Sequence, residues 1–272
     1  MTVATDALRG FVRGRAGISM GADKDYLLRS RLEPQLKNWG VDSLERLVSH
    51  LSTDPGGKIA RQVVSALTIN ETLWFRDGKP FELLKNVMLP DLVARQPEGI
   101  SVWSAACSSG QEAYSIAMTL REHPVPGREL NYSILGTDIC EMVVERAQAG
   151  VYTKFEVQRG LPIQRLVKYF EQKGQDTWSV RKELRDRVNF RSINLTQLPP
   201  VLGPFDIVFC RNVLIYFEVD IKAKVLASIA KHMRPHGYLV LGAAETTIGV
   251  SNLFTTVPGT TGLYRLATNR PH

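Results

Sequence analysis

The chain has 272 residues, is 44% apolar and carries a net charge of +7, which is enough apolar material for one large core or two smaller ones. No apolar stretch approaches the ~20 residues of a membrane-spanning helix, and the N-terminus lacks the basic start, apolar run and cleavage site of a secretory leader. Cys107, Cys140 and Cys210 show neither CxxC nor zinc-finger spacing, so a reducing cytoplasm is expected and a disulfide framework is not. The positive charge is scattered, which suits either plain solubility or an acidic partner.

In chain order, residues 1–68 read as short amphipathic helices, with runs at 25–39, 43–52 and 58–67 separated by Gly and Asp, and no strand. From about residue 100 apolar runs alternate with helical patterns. Residues 100–106, 132–137, 205–210 and 238–241 are strand-like; 111–121, 141–149 and 221–233 are helical. Continuous apolar strands between helices predict a parallel sheet covered on both faces. The polar segment 151–194 breaks the rhythm and is expected to be an insertion, with antiparallel strands within 178–191. Residues 254–266 hold Pro258 and Gly259 between β-like arms, which predicts a hairpin closing the sheet edge.

The first α/β unit runs from a strand through the small residues 104–110 into a helix, where backbone N–H groups can approach a ligand. It lacks the GxGxxG spacing of a pyrophosphate site, which suits a donor without phosphates. Asp138 ends the second strand, about 28 residues past Gly110. A carboxylate there can accept from both ribose hydroxyls, or it can cap the following helix. Glu112, in a first helical turn, can face a ligand or complement the helix dipole. Arg211 and Asn212 fall at the C-terminal end of the next predicted strand, where open α/β sheets bind ligands.

Five segments in order, TINETLWFR (68–76), VWSAACSSGQEAYS (102–115), TDI (137–139), VNFRSINL (188–195) and FCRNVLIYF (209–217), resemble the CheR family of chemotaxis receptor methyltransferases. The resemblance covers nearly the whole chain. It implies a small all-α domain (1–68) before a class I methyltransferase domain (69–272). The latter would be a doubly wound, mostly parallel sheet with an antiparallel edge hairpin and an inserted small β-subdomain (153–192). It implies S-adenosyl-L-methionine as donor and S-adenosyl-L-homocysteine as product. Asn70, Thr72 and Arg76 match the family's donor motif, Glu112 and Asp138 the acids near the methionyl and ribose parts, Asn194 and Leu195 positions near the adenine, and Arg211, Asn212 and Tyr216 the active-site floor. Gln111 stands where many relatives have Glu. The segment 170–188 is a few residues shorter than in enterobacterial-type members, whose β-subdomain holds a receptor C-terminal peptide; that shortening counts against such a tether.

The implied partner is the Glu-rich cytoplasmic helical region of chemotaxis receptors. A basic face of Arg13, Arg15, Arg29, Arg31 and Lys37 could dock it, or could be ordinary solvated helix surface. A glutamate acceptor, with a pKa of about 4.3, is already ionised at neutral pH, so no general base is needed. That agrees with five histidines (50, 123, 232, 236, 272) read as surface or turn residues without metal spacing. Arg76 and Tyr216 are the candidates for orienting the reactants; on pattern alone the first is a linker charge and the second a core aromatic. Two rivals stand. A nucleic-acid methyltransferase fits the charge but lacks a catalytic Asn/Asp-Pro-Pro-Tyr/Phe motif and aromatic-basic interleaving. A non-catalytic donor-binding sensor would share the pocket.

Overall fold

The computed structural model describes residues 3–95, 98–127 and 129–268. Four helices open the chain: α1 (Val3–Ala16), α2 (Asp25–Leu36), α3 (Leu44–Thr53) and α4 (Lys58–Leu67). Each starts or stops where its sequence dictates. The Ser43 side chain caps α3 by accepting from the Arg46 N–H at 3.2 Å, and left-handed Gly40 ends the turn after α2. Their apolar stripes meet in one core in which Leu8, Val12, Leu28, Leu32, Leu47 and Val63 are fully buried. Each such Leu contributes roughly 1.5–3 kcal/mol of burial.

A linker leads to α5 (Lys79–Leu83), a π turn (Leu84–Met88) and α6 (Leu89–Arg95), a helical run the sequence pattern did not reveal. Pro90 has no N–H to close the preceding turn, and the π geometry falls immediately before it. The α/β rhythm then follows: β1 (Ile100–Ala105), α7 (Gln111–Arg121), β2 (Tyr132–Asp138) and α8 (Glu141–Ala149). Next come β3 (Val151–Thr153), α9 (Lys154–Gln158), α10 (Ile163–Tyr169), β4 (Phe170–Gln172), β5 (Thr177–Val180), α11 (Lys182–Arg185) and β6 (Val188–Ser192). The chain closes with β7 (Phe205–Cys210), α12 (Val219–Lys231), β8 (Met233–Leu241), β9 (Phe254–Thr256) and β10 (Leu263–Leu266).

The seven-stranded sheet has the order β6-β2-β1-β7-β8-β10-β9, parallel from β6 to β8 with β10 and β9 antiparallel, as the hairpin reading expects. The central strands are buried along both faces, which is why they read as unbroken apolar runs. The Trp103 indole N–H donates to Thr137 Oγ1 at 2.8 Å, tying β1 to β2. The chain builds outward to β6 on one side and to β8 on the other. The switch point is therefore the crevice beyond the carboxyl ends of β1 and β7.

Two expectations need correction. The small antiparallel sheet uses β3, β5 and β4, whereas Val188–Ser192, read as part of the insertion, pairs parallel with β2 in the main sheet. Its alternate residues are exposed, so an edge strand of the parallel sheet carries the pattern of an antiparallel one. The helix expected at 221–233 is α12, ending at Lys231, and Met233 already opens β8. Residues 234–237 form a bulge inside that strand, between the pairs Phe205↔Met233 and Ile207↔Tyr238.

Candidate functional site

The loop after β1 is forced into unusual backbone: Ala106 (φ 59°), Ser108 (φ 50°) and Gly110 (φ 93°) are all left-handed. Gly110 cannot be replaced, since a Cβ there would lie 2.9 Å from Ala147 Cβ and 3.1 Å from the Tyr152 hydroxyl. Strain of this kind persists only where surroundings impose it. Here Asp138 does so, accepting the Ser108 N–H at 2.9 Å on one oxygen and the Cys140 N–H at 3.0 Å on the other. The two roles left open for Asp138 are thus compatible. It caps the local backbone, lines the adjoining cavity, and keeps acceptor capacity beyond those bonds. Burial pushes its pKa up, and the N–H bonds from Cys140 and Ser108 pull partly back.

The loop after β7 is shaped likewise. Asn212 is left-handed (φ 58°), and the turn Leu214–Tyr216 follows. Arg211, whose side chain is 1% exposed, is clamped. Its Nη1 donates to Glu112 at 2.9 Å, and its Nη2 donates to Asp77 at 2.6 Å and to the Arg76 carbonyl at 3.0 Å. Glu112 also accepts from Ser104 Oγ at 2.7 Å. Breaking such a buried pair from one side costs about 3–5 kcal/mol, so this guanidinium is a fixed charge. Its Nε is buried and has no partner among the described residues.

The linker 68–78 forms the third wall. Ser108 Oγ donates to the Asn70 carbonyl at 2.6 Å, the Phe75 N–H donates to Ser115 Oγ at 3.1 Å, and Arg76 Nη1 reaches the Glu71 carbonyl at 3.1 Å. The fourth wall comes from the helical domain. The segment after α1 adds Ile18 as a bridge to Phe217, and the Ser19 N–H donates to the Tyr216 carbonyl at 2.9 Å. Ser19 Oγ and Arg13 both engage Glu218, and Asn194 Nδ2 donates to the Arg15 carbonyl at 2.6 Å.

All ten residues singled out from the sequence line this one cavity: Asn70, Thr72 and Arg76 from the linker, Glu112 from α7, Asp138 from β2, Asn194 and Leu195 after β6, and Arg211, Asn212 and Tyr216 after β7. Their polar groups are not equally available. Asn194 spends its carbonyl on the Thr196 N–H and hydroxyl and its amide on α1, while Arg211 and Glu112 are largely committed to each other. The Arg76 side chain bonds the Glu71 carbonyl, and among the described residues no side-chain bond is recorded for Asn70, Thr72, Asn212 or the half-buried Tyr216, so all five keep polar ends available.

Other residues escaped the sequence reading. Asp77 and Glu245 hold the β7 loop through contacts distant in sequence, and Ile18, Ser19, Met20 and Lys24 enter the cavity from the other domain. Two expectations fail in detail. Arg31 turns inward to the carbonyls of Leu67 (3.3 Å) and Thr68 (3.1 Å) instead of lying on a solvated face, because it neutralises the C-terminal end of α4. His232 is buried, bridging the Ser228 and Pro199 carbonyls, whereas His50 is exposed and His123 and His236 are partly so; His272 lies outside the described residues. Burial pushes the Cys107 and Cys210 thiols up, so neither is a thiolate at neutral pH. No histidine is among the described residues lining the cavity.

This donor set fits a nucleoside with a charged tail. Asp138 offers acceptor capacity to hydroxyls, Leu195 and Ile139 offer apolar walls, and the partnerless Arg211 Nε offers a buried donor. Residues 4–68 match the family described as CheR methyltransferase, all-alpha domain, and residues 70–263 match CheR methyltransferase, SAM binding domain. The chain is 41% identical over 262 residues to "Chemotaxis protein methyltransferase Cher2" of Pseudomonas putida, covering 95% of each chain. It is 43% identical to "Chemotaxis protein methyltransferase 1" of Pseudomonas aeruginosa, covering 88% of this chain and 89% of the other. It is 40% identical to "Chemotaxis protein methyltransferase 1" of Vibrio cholerae, covering 98% of each.

Proposed function

The chain belongs to the CheR methyltransferase family and uses S-adenosyl-L-methionine for methylation in chemotaxis; we propose that it is a protein-glutamate O-methyltransferase that esterifies glutamate side chains on the cytoplasmic helical region of chemotaxis receptors. In this reading it works in the cytoplasm and without a receptor C-terminal peptide tether. No helix of the described residues is long and apolar enough to cross a membrane.

The observation that carries the reading is a cavity that presents the Arg76 guanidinium and the Tyr216 phenol, while the Glu112 and Asp138 carboxylates that line it are engaged by Arg211 and by backbone N–H groups. No histidine is among the described residues lining it, burial keeps the Cys107 thiol protonated, and Glu112 and Asp138 are already bonded, so an acceptor that arrives ionised suits it best. A glutamate carboxylate is such an acceptor, being ionised well below neutral pH. When bound, the donor supplies an electrophilic methyl group on a sulfonium. The chain's own task is alignment, which can remove roughly 7–11 kcal/mol of barrier when two reactants are held in register.

Asp138 would accept from the ribose hydroxyls, Asn194 and Leu195 would flank the adenine, and Asn70, Thr72, Glu112, Arg211 and Asn212 would hold the amino-acid portion. Arg76 and Tyr216 keep polar ends free and would orient the acceptor carboxylate while keeping it ionised against the desolvation of the cavity. Arg15 and Lys37 remain on the helical domain for docking a Glu-rich helix, whereas Arg13 is paired with Glu218, Arg29 with Glu33, and Arg31 is withdrawn from that face. The deciding experiment is transfer of tritiated methyl to a receptor cytoplasmic fragment. Base-labile label on glutamate is expected. Base-stable label, or label only on nucleic acid, would overturn the reading.

A further inference from the structure

We propose that Glu245 is a positioning residue for methyl transfer, acting through the loop Asn212–Tyr216; this rests on the roles given above to Asn212 and Tyr216. Glu245 is buried at the C-terminal end of β8 and touches neither α7 nor the linker wall in any bond the structure records. Its carboxylate accepts four backbone N–H groups. One oxygen takes Val213 at 2.9 Å and Leu214 at 2.7 Å; the other takes Asn212 at 2.8 Å and Gly242 at 2.7 Å.

The division between the oxygens has a consequence. The first pair fixes the base of the turn that carries Tyr216. The second pair holds Asn212 in its left-handed conformation (φ 58°) against the end of β8. No other acceptor is recorded for these N–H groups, so one carboxylate sets the backbone under two cavity residues. Gly242 adds an independent sign that the contact is tight. A Cβ there would lie 2.7 Å from Glu245 Oε2 and 3.0 Å from the Asn212 nitrogen.

Chemistry singles out the ionised carboxylate. An amide of the same shape has one acceptor oxygen, so Glu245→Gln would turn its NH2 group toward one of the two N–H pairs and repel it. A role in folding alone predicts lower stability with normal turnover of the folded enzyme. A positioning role predicts lower turnover at temperatures where the variant is folded, and non-additivity with Tyr216.

The test uses the full chain with tritiated donor and a receptor fragment, with circular dichroism confirming folding. Glu245→Gln is expected to lower kcat by about tenfold or more, as when buried donors lose their acceptor. In a Tyr216→Phe background the same change is expected to cost less than about threefold. Gly242→Ala, which crowds the same contact without altering a charge, is expected to act in the same direction and serves if Glu245→Gln does not fold. A kcat within about twofold of wild type, or an equal loss in both backgrounds, would overturn the proposal. If the wild type itself transfers nothing to receptor glutamate, the acceptor reading has failed on its own. The positioning role is then read from S-adenosyl-L-homocysteine affinity by calorimetry: a drop of about tenfold on freeing Asn212 supports it and an unchanged affinity overturns it.

Discussion

The two ends of the parallel sheet both bury carboxylates, and they use them differently. At the N-terminal end Asp206, with its side chain 2% exposed, accepts from the Ser101 N–H and hydroxyl at 2.8 Å each and faces Arg234 at 3.3 Å and His236 at 3.4 Å. Its oxygens are saturated by groups of ordinary conformation, and it ties β1 to β7. At the C-terminal end Asp138, Glu112 and Glu245 hold loops that contain left-handed non-glycine residues, and Asp138 and Glu112 also line a cavity. Both ends have a surface depression, so concavity alone does not tell them apart. What separates them is the backbone strain each carboxylate stabilises and the polar capacity left over.

The sharpest way to break that contrast is to remove the Arg76 cation at the C-terminal end. Arg76→Ala is expected to lower kcat for methyl transfer by about 100-fold, the scale of losing one aligned transition-state donor, while leaving the urea midpoint in place. Tyr216→Phe is expected to follow at about tenfold. Normal turnover in both would reduce them to a linker charge and a core aromatic.

The next effect belongs to the opposite end. Asp206→Ala frees the Ser101 N–H and removes the carboxylate that faces Arg234 and His236. Arg234 and His236 are themselves partly exposed, so the expected loss is about 2 kcal/mol of unfolding free energy, below the range for a fully buried pair. S-adenosyl-L-homocysteine affinity should stay within about twofold. A large affinity loss would make the two ends one coupled unit.

How much of this was legible in the sequence follows the same division. Strands β1, β2 and β7 and helices α7 and α8 were readable because they are buried on two faces or bounded by polar breaks, and periodicity reports burial. The helical run 79–95 was not, because Pro80, Pro90 and a π turn disrupt a 3.6-residue period. β6 misled because an edge strand alternates like an antiparallel one. The positions lining the cavity were legible through motifs that lie at strand ends. Glu245 was not, since its effect depends on N–H groups about thirty residues away, brought near by β7 and β8 pairing. Arg31 looked like any helix-face arginine; only the placement of α4 turned it inward.

A third, smaller effect isolates Asp138 from its capping role. Asp138→Ala is expected to weaken S-adenosyl-L-homocysteine binding about tenfold by calorimetry, near 1.4 kcal/mol. Lower stability with unchanged affinity would return Asp138 to a plain loop brace, the counterpart of Asp206.

The smallest effect is a pH dependence, and it separates the same two roles without deleting a side chain. Burial raises the Asp138 pKa above the ordinary aspartate value of about 3.9, with the Cys140 and Ser108 N–H bonds opposing it. For an acid raised on folding, the ionised form carries a stability cost that is absent below the unfolded value and complete above the folded one. Hydroxyl donors bound to the carboxylate favour that ionised form. Affinity for S-adenosyl-L-homocysteine should therefore be flat at neutral pH and decline as pH falls through the raised value, earlier than for an exposed aspartate, with proton release on binding. Asp138→Asn removes the titration and should remove the decline. Calorimetry in buffers of differing ionisation enthalpy reads both quantities. An equal decline in Asp138→Asn would place the titrating group elsewhere and leave Asp138, like Asp206, a carboxylate that only holds backbone.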